Sequence, residues 1–316
     1  MKITYAAPAK IILSGEHSVV YTKPAFVCAV DFHLHATVED GTKAVYSEQI
    51  EKGIEYTNSV VLAYLKKENI SANIRDFKCT IASHIPEGRG MGSSAAFCVA
   101  LSGALMHFYT DRQWDKQIVN SLAYQAEKHF HGMPSGVDVS ASCYGGLIFY
   151  RKEFEFLKTV SALNFKIPKS FEERLLLIDT GKPVESTKEM VSIVGKRYNA
   201  DSELIERILS AIEKITKRMV ISVVKEDFKM FTESIAANQK LLTDLGIVSE
   251  ATIQLLEELS PFGCGKVTGA GGVSSGSGFV LFVIQNESVM EKLKKQNIPY
   301  LPFHQDLKGL ENIVHV

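Results

Sequence analysis

The stretch Pro86–Leu105, PEGRGMGSSAAFCVALSGAL, sets glycines at 88, 90 and 92, follows them with Ser93 and Ser94, and runs on into small and apolar residues. One or two glycines suffice to turn a chain. Glycines at alternate positions keep side chains off a strip of backbone and admit positive φ at each. A helix that starts near Ser93 adds unpaired N–H donors and the positive end of its dipole. Together these make an anion site, with phosphate the expected anion. The loop is not a Walker A loop, because no Gly-Lys-Ser/Thr follows the glycines. Nor is it the dinucleotide fingerprint, whose glycines are spaced two and then three apart. Taken alone, the segment also fits a plain connecting turn before a helix.

With 316 residues, the chain is too long for one small core, so two domains are expected. A formal net charge of −1 gives no electrostatic reason for a nucleic-acid or membrane-surface partner. No window approaches the ~18 uninterrupted apolar residues of a membrane span, and the N-terminus lacks a signal-peptide pattern. Cys28, Cys79, Cys98, Cys143 and Cys264 are odd in number, scattered and without a C-x-x-C pair. They read as small buried hydrophobes in a reducing compartment, and a cytoplasmic enzyme is the expectation.

The first half alternates strand-like runs with helical ones. KITYAAPAKIILSGEH and PAFVCAVDFHLHATVED read as strands, SVVLAYLKKENI as a helix and FKCTIASHI as a strand. Helices follow over about 93–109 and 115–129, then HGMPSGVDVSASCYGG as a loop and GLIFY as a strand. In the second half ERLLLIDTG reads as a buried strand. Three amphipathic helical stretches between Ser186 and Leu259 follow it. A glycine loop and strand, KVTGAGG…SGFVLFVI, a helix at SVMEKLKKQNI and short extended pieces complete the chain. KIPKSFEER combines proline with charge, which places a boundary there and gives domains 1–168 and 169–316. Helices on strands in both halves argue α+β rather than a doubly wound parallel sheet.

Two further segments, PAKIILSGEHSVVYTKPA (Pro8–Ala25) and KVTGAGGVSSGSGFVL (Lys266–Leu281), join PEGRGMGSSAA in an ordered set. That set resembles the three motifs of the GHMP small-molecule kinases, and the pattern is closest to the mevalonate kinases. HGMPSGVD (His131–Asp138) is similar to the family's catalytic-aspartate loop, and IDTGKPVESTKEMV and NQKLLTDLGIVS are similar to later segments. The resemblance implies a two-domain α+β GHMP kinase fold. Its N-terminal domain would be ribosomal-protein-S5-like α/β and its C-terminal domain ferredoxin-like α+β. It further implies ATP and Mg²⁺ and mevalonate as the acceptor, with phosphomevalonate or a sugar as alternative acceptors and a catalytically silent metabolite-binding member of the fold as a further reading, and a homodimer.

On that resemblance Asp138 would accept or orient the proton of the acceptor hydroxyl, with Lys10 beside it holding it ionised. Glu87, Gly88, Arg89, Gly90, Met91, Gly92, Ser93 and Ser94 would cradle the triphosphate. Ser94 and Glu127 would bind Mg²⁺, a hard cation that keeps several waters and asks for few protein oxygens. Glu16, His17, Ser135, Gly136, Thr268 and Gly269 would line the acceptor, and Lys188 is a further candidate contact. Each residue also has an ordinary reading: Ser94 a helix N-cap, Glu127 a solvated helix charge, Asp138 a turn former, Lys10 a strand-end charge, His17 a satisfied polar residue. The chain departs from the family pattern at Ala9, Ser14, Phe97, Met133 and Val139. Phe97, Met133 and Val139 are expected near the acceptor pocket.

Overall fold

The computed structural model describes residues 1–41, 46–131 and 134–313. A long antiparallel pair, β1 (Lys2–Ser14) and β2 (Ala25–Asp40), forms the spine of the first sheet. β3 (Phe77–Ser83) and β4 (Leu147–Phe154) pair with different stretches of β2, and β5 (Leu157–Leu163) pairs with β4. Four helices accompany this sheet: α1 (Glu48–Lys67), α2 (Ser93–Thr110), α3 (Lys116–His131) and α4 (Val137–Tyr144).

The apolar, small-residue sequence of α2 is buried nearly all round, as a helix without a polar face must be. It is a central helix, packed on β1 and β2 and covered by α1, α3 and α4. This burial fixes the position of its N-terminus, and with it the end of the glycine loop.

A four-residue helix, α5 (Lys169–Glu172), leads to the second sheet, ordered β7 (Gly263–Val267), β8 (Phe279–Ile284), β6 (Leu175–Asp179) and β9 (Tyr300–Pro302). β8, and β6 as far as its terminal Asp179, are apolar because both faces are covered. Leu175, Leu177, Phe279, Leu281 and Val283 join the core of the first sheet, while Leu176, Ile178, Val280 and Phe282 join a second core. Helices α6 (Thr187–Ala200), α7 (Ser202–Val224), α8 (Phe228–Asp244), α9 (Glu250–Leu259) and α10 (Val289–Lys295) complete this half. The last strand, β10 (Glu311–Asn312), returns to pair with β1. No described helix is long and apolar enough to cross a membrane.

Three local expectations are corrected. Helix α4 occupies the end of the segment read as a loop, beginning after Gly136, whose φ of 93° supplies the left-handed entry. Helices number four, not three, between Ser186 and Leu259. Only Asp201 separates α6 from α7, and its carboxylate caps α7 by accepting from Leu204 N–H. β5 was not expected, since its alternation is weak on an edge with little buried surface.

Candidate active site

The glycine loop takes the conformation its composition demands. Gly88, Gly90 and Gly92 have φ of 67°, 79° and 74°, all left-handed. Space is tight there as well. A Cβ on Gly92 would lie 3.0 Å from Lys10 Cε, and one on Gly90 3.3 Å from the carbonyl oxygen of Thr268. The loop is thus laid between β1 and the third glycine segment. Its backbone is pinned on one side by Lys10 N–H donating to Met91 O at 3.0 Å. On the other side Arg89 donates through Nε to Asp179 at 2.6 Å, and Gly269 sits against Gly90. Ser93 and Ser94 open α2, so its first N–H groups face the loop.

Lys10 follows an irregularity in the β1–β2 pairing between Pro8 and Ala9. Its ammonium lies 3.1 Å from Asp138 Oδ1, with Lys10 buried and Asp138 about one-third exposed. Asp138 stands in the first turn of α4, where the helix dipole favours a carboxylate. One turn later Ser142 donates to Pro8 O, so α4 is fastened to β1 at residues 8 and 10. Ser135 and Gly136 form the entry to α4, held by Tyr150 O–H donating to Ser135 O. A Cβ on Gly136 would come 2.9 Å from that tyrosine oxygen.

Glu127, on α3, is only 2% exposed, and its Oε2 has no hydrogen-bond partner. Burial, and then the charge of Asp138, push its carboxyl up to about 8, against the opposing pull of Lys10. A buried, unpartnered carboxylate oxygen beside a second carboxylate is costly in the absence of a cation. The donor set, hard oxygens next to a phosphate-type loop, fits Mg²⁺.

Glu16 and His17 lie deeper than a cleft wall. The Glu16 carboxylate is fully buried in an ion pair with Lys266 and accepts from Asn238 Nδ2 at 3.2 Å. Lys266 also donates to Ile12 O at 3.0 Å, while Ile12 N–H donates to Thr268 Oγ1 at 2.8 Å. Thr268 and Lys266 therefore hold both backbone polar groups of Ile12, two residues beyond Lys10. The His17 ring nitrogen Nε2 is 2.9 Å from Ala270 O, so it must carry the proton; Nδ1 is left as a buried acceptor without a partner. Burial lowers the His17 pKa, which keeps the ring neutral.

Other expected residues separate from this cluster. Phe97 packs edge-on to Phe130 and against Gly53, inside the helical layer. Met133 lies outside the described residues. Val139 is fully buried in the core. Lys188 is exposed in the first turn of α6. Sequence reasoning passed over Lys266, Asn238 and Asp179. A lysine in the otherwise uncharged GCGKV strand was the one visible signal for a buried partner.

Residues 55–146 match the model of the GHMP kinases N terminal domain. Mevalonate kinase of Pyrococcus furiosus is 32% identical over 304 residues, with 86% of this chain and 87% of the relative covered. The chain belongs to the GHMP kinase family. Among solved structures, a protein from Listeria innocua superposes with a TM-score of 0.81 at 22% identity, covering 99% of each chain. Mevalonate kinase of Methanococcus jannaschii gives 0.75 at 22% identity, over 96% of this chain and 98% of that one. As a GHMP kinase, the chain brings together its glycine loop, Lys10 of β1, Asp138 of α4 and Glu127 of α3 at one place.

Proposed function

We propose that this GHMP kinase transfers the terminal phosphate of ATP to the primary hydroxyl of mevalonate, giving 5-phosphomevalonate and ADP. The observation that carries the reading is the Lys10–Asp138 pair at 3.1 Å, seated against Gly92 of the phosphate loop. The likeness to the Pyrococcus furiosus mevalonate kinase supports mevalonate as the acceptor.

The backbone from Glu87 to Ser94 binds the phosphates of ATP through its N–H groups. Ser94 and Glu127 would hold Mg²⁺, which when bound would offset phosphate charge. Asp138 accepts the hydrogen bond of the acceptor hydroxyl and orients the oxygen for in-line attack. Lys10 pairs with Asp138 at 3.1 Å, holding its carboxylate in place, and lends positive charge to the transferring group. His17 Nδ1, a neutral acceptor, suits a second hydroxyl of the substrate. Ser135, Gly136, Thr268 and Gly269 shape the pocket and help exclude water, which limits idle hydrolysis of ATP. Glu16 acts from beneath, through Lys266 and Ile12.

Coupled ADP release with mevalonate, phosphomevalonate, galactose and homoserine tests the reading. Mevalonate should give the highest kcat/KM. A tenfold preference for phosphomevalonate would overturn the named acceptor and leave the kinase, and silence with every acceptor would overturn the activity.

A further inference from the structure

Lys10, Arg89 and Lys182 bring positive charge to the glycine loop, and two of them are already paired. Lys10 faces Asp138 at 3.1 Å, and Arg89 is tied to Asp179 at 2.6 Å. Lys182 is exposed and makes no ion pair among the described residues. Its side chain nevertheless lies across the loop. A Cβ built on Gly88 would fall 2.5 Å from Lys182 Cε and 3.2 Å from its Nζ.

The base of that lysine is fixed. Thr180 N–H and Oγ1 both donate to Gly278 O, at 3.0 and 2.7 Å, and Gly278 N–H donates to Gly181 O at 3.1 Å. Asp179 Oδ1 accepts from Gly181 N–H at 2.9 Å, while its other oxygen holds Arg89. The turn that carries Lys182 is therefore locked both to the third glycine segment and to the phosphate loop. An ammonium delivered by a locked turn to the rim of left-handed glycines is a point charge placed where phosphate oxygens would lie.

We propose that Lys182 is a phosphate-binding residue of the nucleotide site, contributed by the second half of the chain and directed at the outer phosphates of ATP. The assignment rests on reading the loop as the ATP phosphate site. It also accounts for Gly88, the position where any side chain would displace the lysine.

The experiment measures equilibrium binding of Mg²⁺–ATP, Mg²⁺–ADP and AMP by calorimetry to the wild type, Lys182→Met and Lys182→Arg, together with KM for both substrates. A lost charge-assisted contact typically weakens binding roughly tenfold or more. Lys182→Met should therefore bind ATP about tenfold more weakly, ADP less affected and AMP unchanged, with acceptor KM unmoved. Lys182→Arg should recover most of the loss. ATP affinity within twofold of wild type overturns the assignment. So does an equal loss for AMP, which would make the side chain mere packing for the loop. A rise confined to the KM of a phosphorylated acceptor also overturns it, moving the lysine to the other substrate. If the wild type binds ATP but phosphorylates no acceptor in the panel, the substrate reading fails while the Lys182 binding result stands on its own.

Discussion

Replacing Glu127 by glutamine keeps the side chain's shape and removes its charge, which separates what the buried carboxylate costs the fold from what it gives the reaction. In the folded protein its pKa is raised to about 8 by burial and by Asp138, against an ordinary value of 4.5. At about 1.4 kcal/mol per unit, that disparity destabilises the metal-free fold by about 3 kcal/mol at neutral pH. The sign follows from the direction of the shift. Below the unfolded value the carboxyl is protonated in both states and the penalty is absent; it grows as pH rises toward the folded value and then levels off. Glutamine escapes this penalty, but its buried amide leaves groups unsatisfied at about 1–2 kcal/mol. In chelator, Glu127→Gln should therefore match or fall slightly below wild type near pH 4.5 and exceed it by about 1–2 kcal/mol near pH 7, and by somewhat more near pH 8. That corresponds to a few degrees in Tm. The same variant should lose at least about tenfold in Mg²⁺-dependent kcat, because a hard cation has lost an oxygen ligand. Thermal unfolding against pH, with and without Mg²⁺, reads both effects. A variant less stable than wild type at pH 8 in chelator would show that the carboxylate is satisfied in the free protein, and the reasoning about it would fall.

Asp138→Asn should cost about 10²–10⁴ in kcat with ATP binding nearly intact, and Lys10→Met should also lower kcat. Because the two residues touch, the double variant should lose much less than the product of the single losses, as steady-state kinetics will show. Gly90→Val, which forces a β-branched residue into φ 79° beside Thr268 O, should raise the KM for ATP more than that for the acceptor. Lys266→Met strands the buried Glu16 carboxylate and should destabilise by about 3–5 kcal/mol in urea unfolding, with much of that recovered when Glu16→Gln is added.

Motif chemistry made the centre of the site legible before any coordinates. Glycines at alternate positions required a left-handed loop, and the apolar run behind it required a buried helix; both are found at the expected residues. The second carboxylate was legible only through resemblance, since nothing local distinguishes Glu127 from a solvated helix residue. Helix α4 escaped notice because its start depends on Gly136 wedged beneath Tyr150 and on Ser142 fastened to Pro8, contacts between residues far apart in the chain. Glu16 shows the same limit more sharply. Its neighbours in sequence suggest a cleft, while its partners Lys266 and Asn238 stand more than 200 residues away and close over it. Phe97 was expected near the acceptor pocket on the family resemblance, and helical geometry turns it toward Gly53 and Phe130.

The central claim is that the elements gathered around Lys10 and Asp138 move phosphate from ATP onto one hydroxyl of mevalonate. Phosphorus–proton correlation NMR on the product of ATP, Mg²⁺ and mevalonate tests it most directly, since it identifies the carbon that carries the phosphate. The structure and its likeness to mevalonate kinases predict a single ester at the primary hydroxyl, formed in step with ADP. Inorganic phosphate without an ester, or an ester at the tertiary hydroxyl, would contradict it.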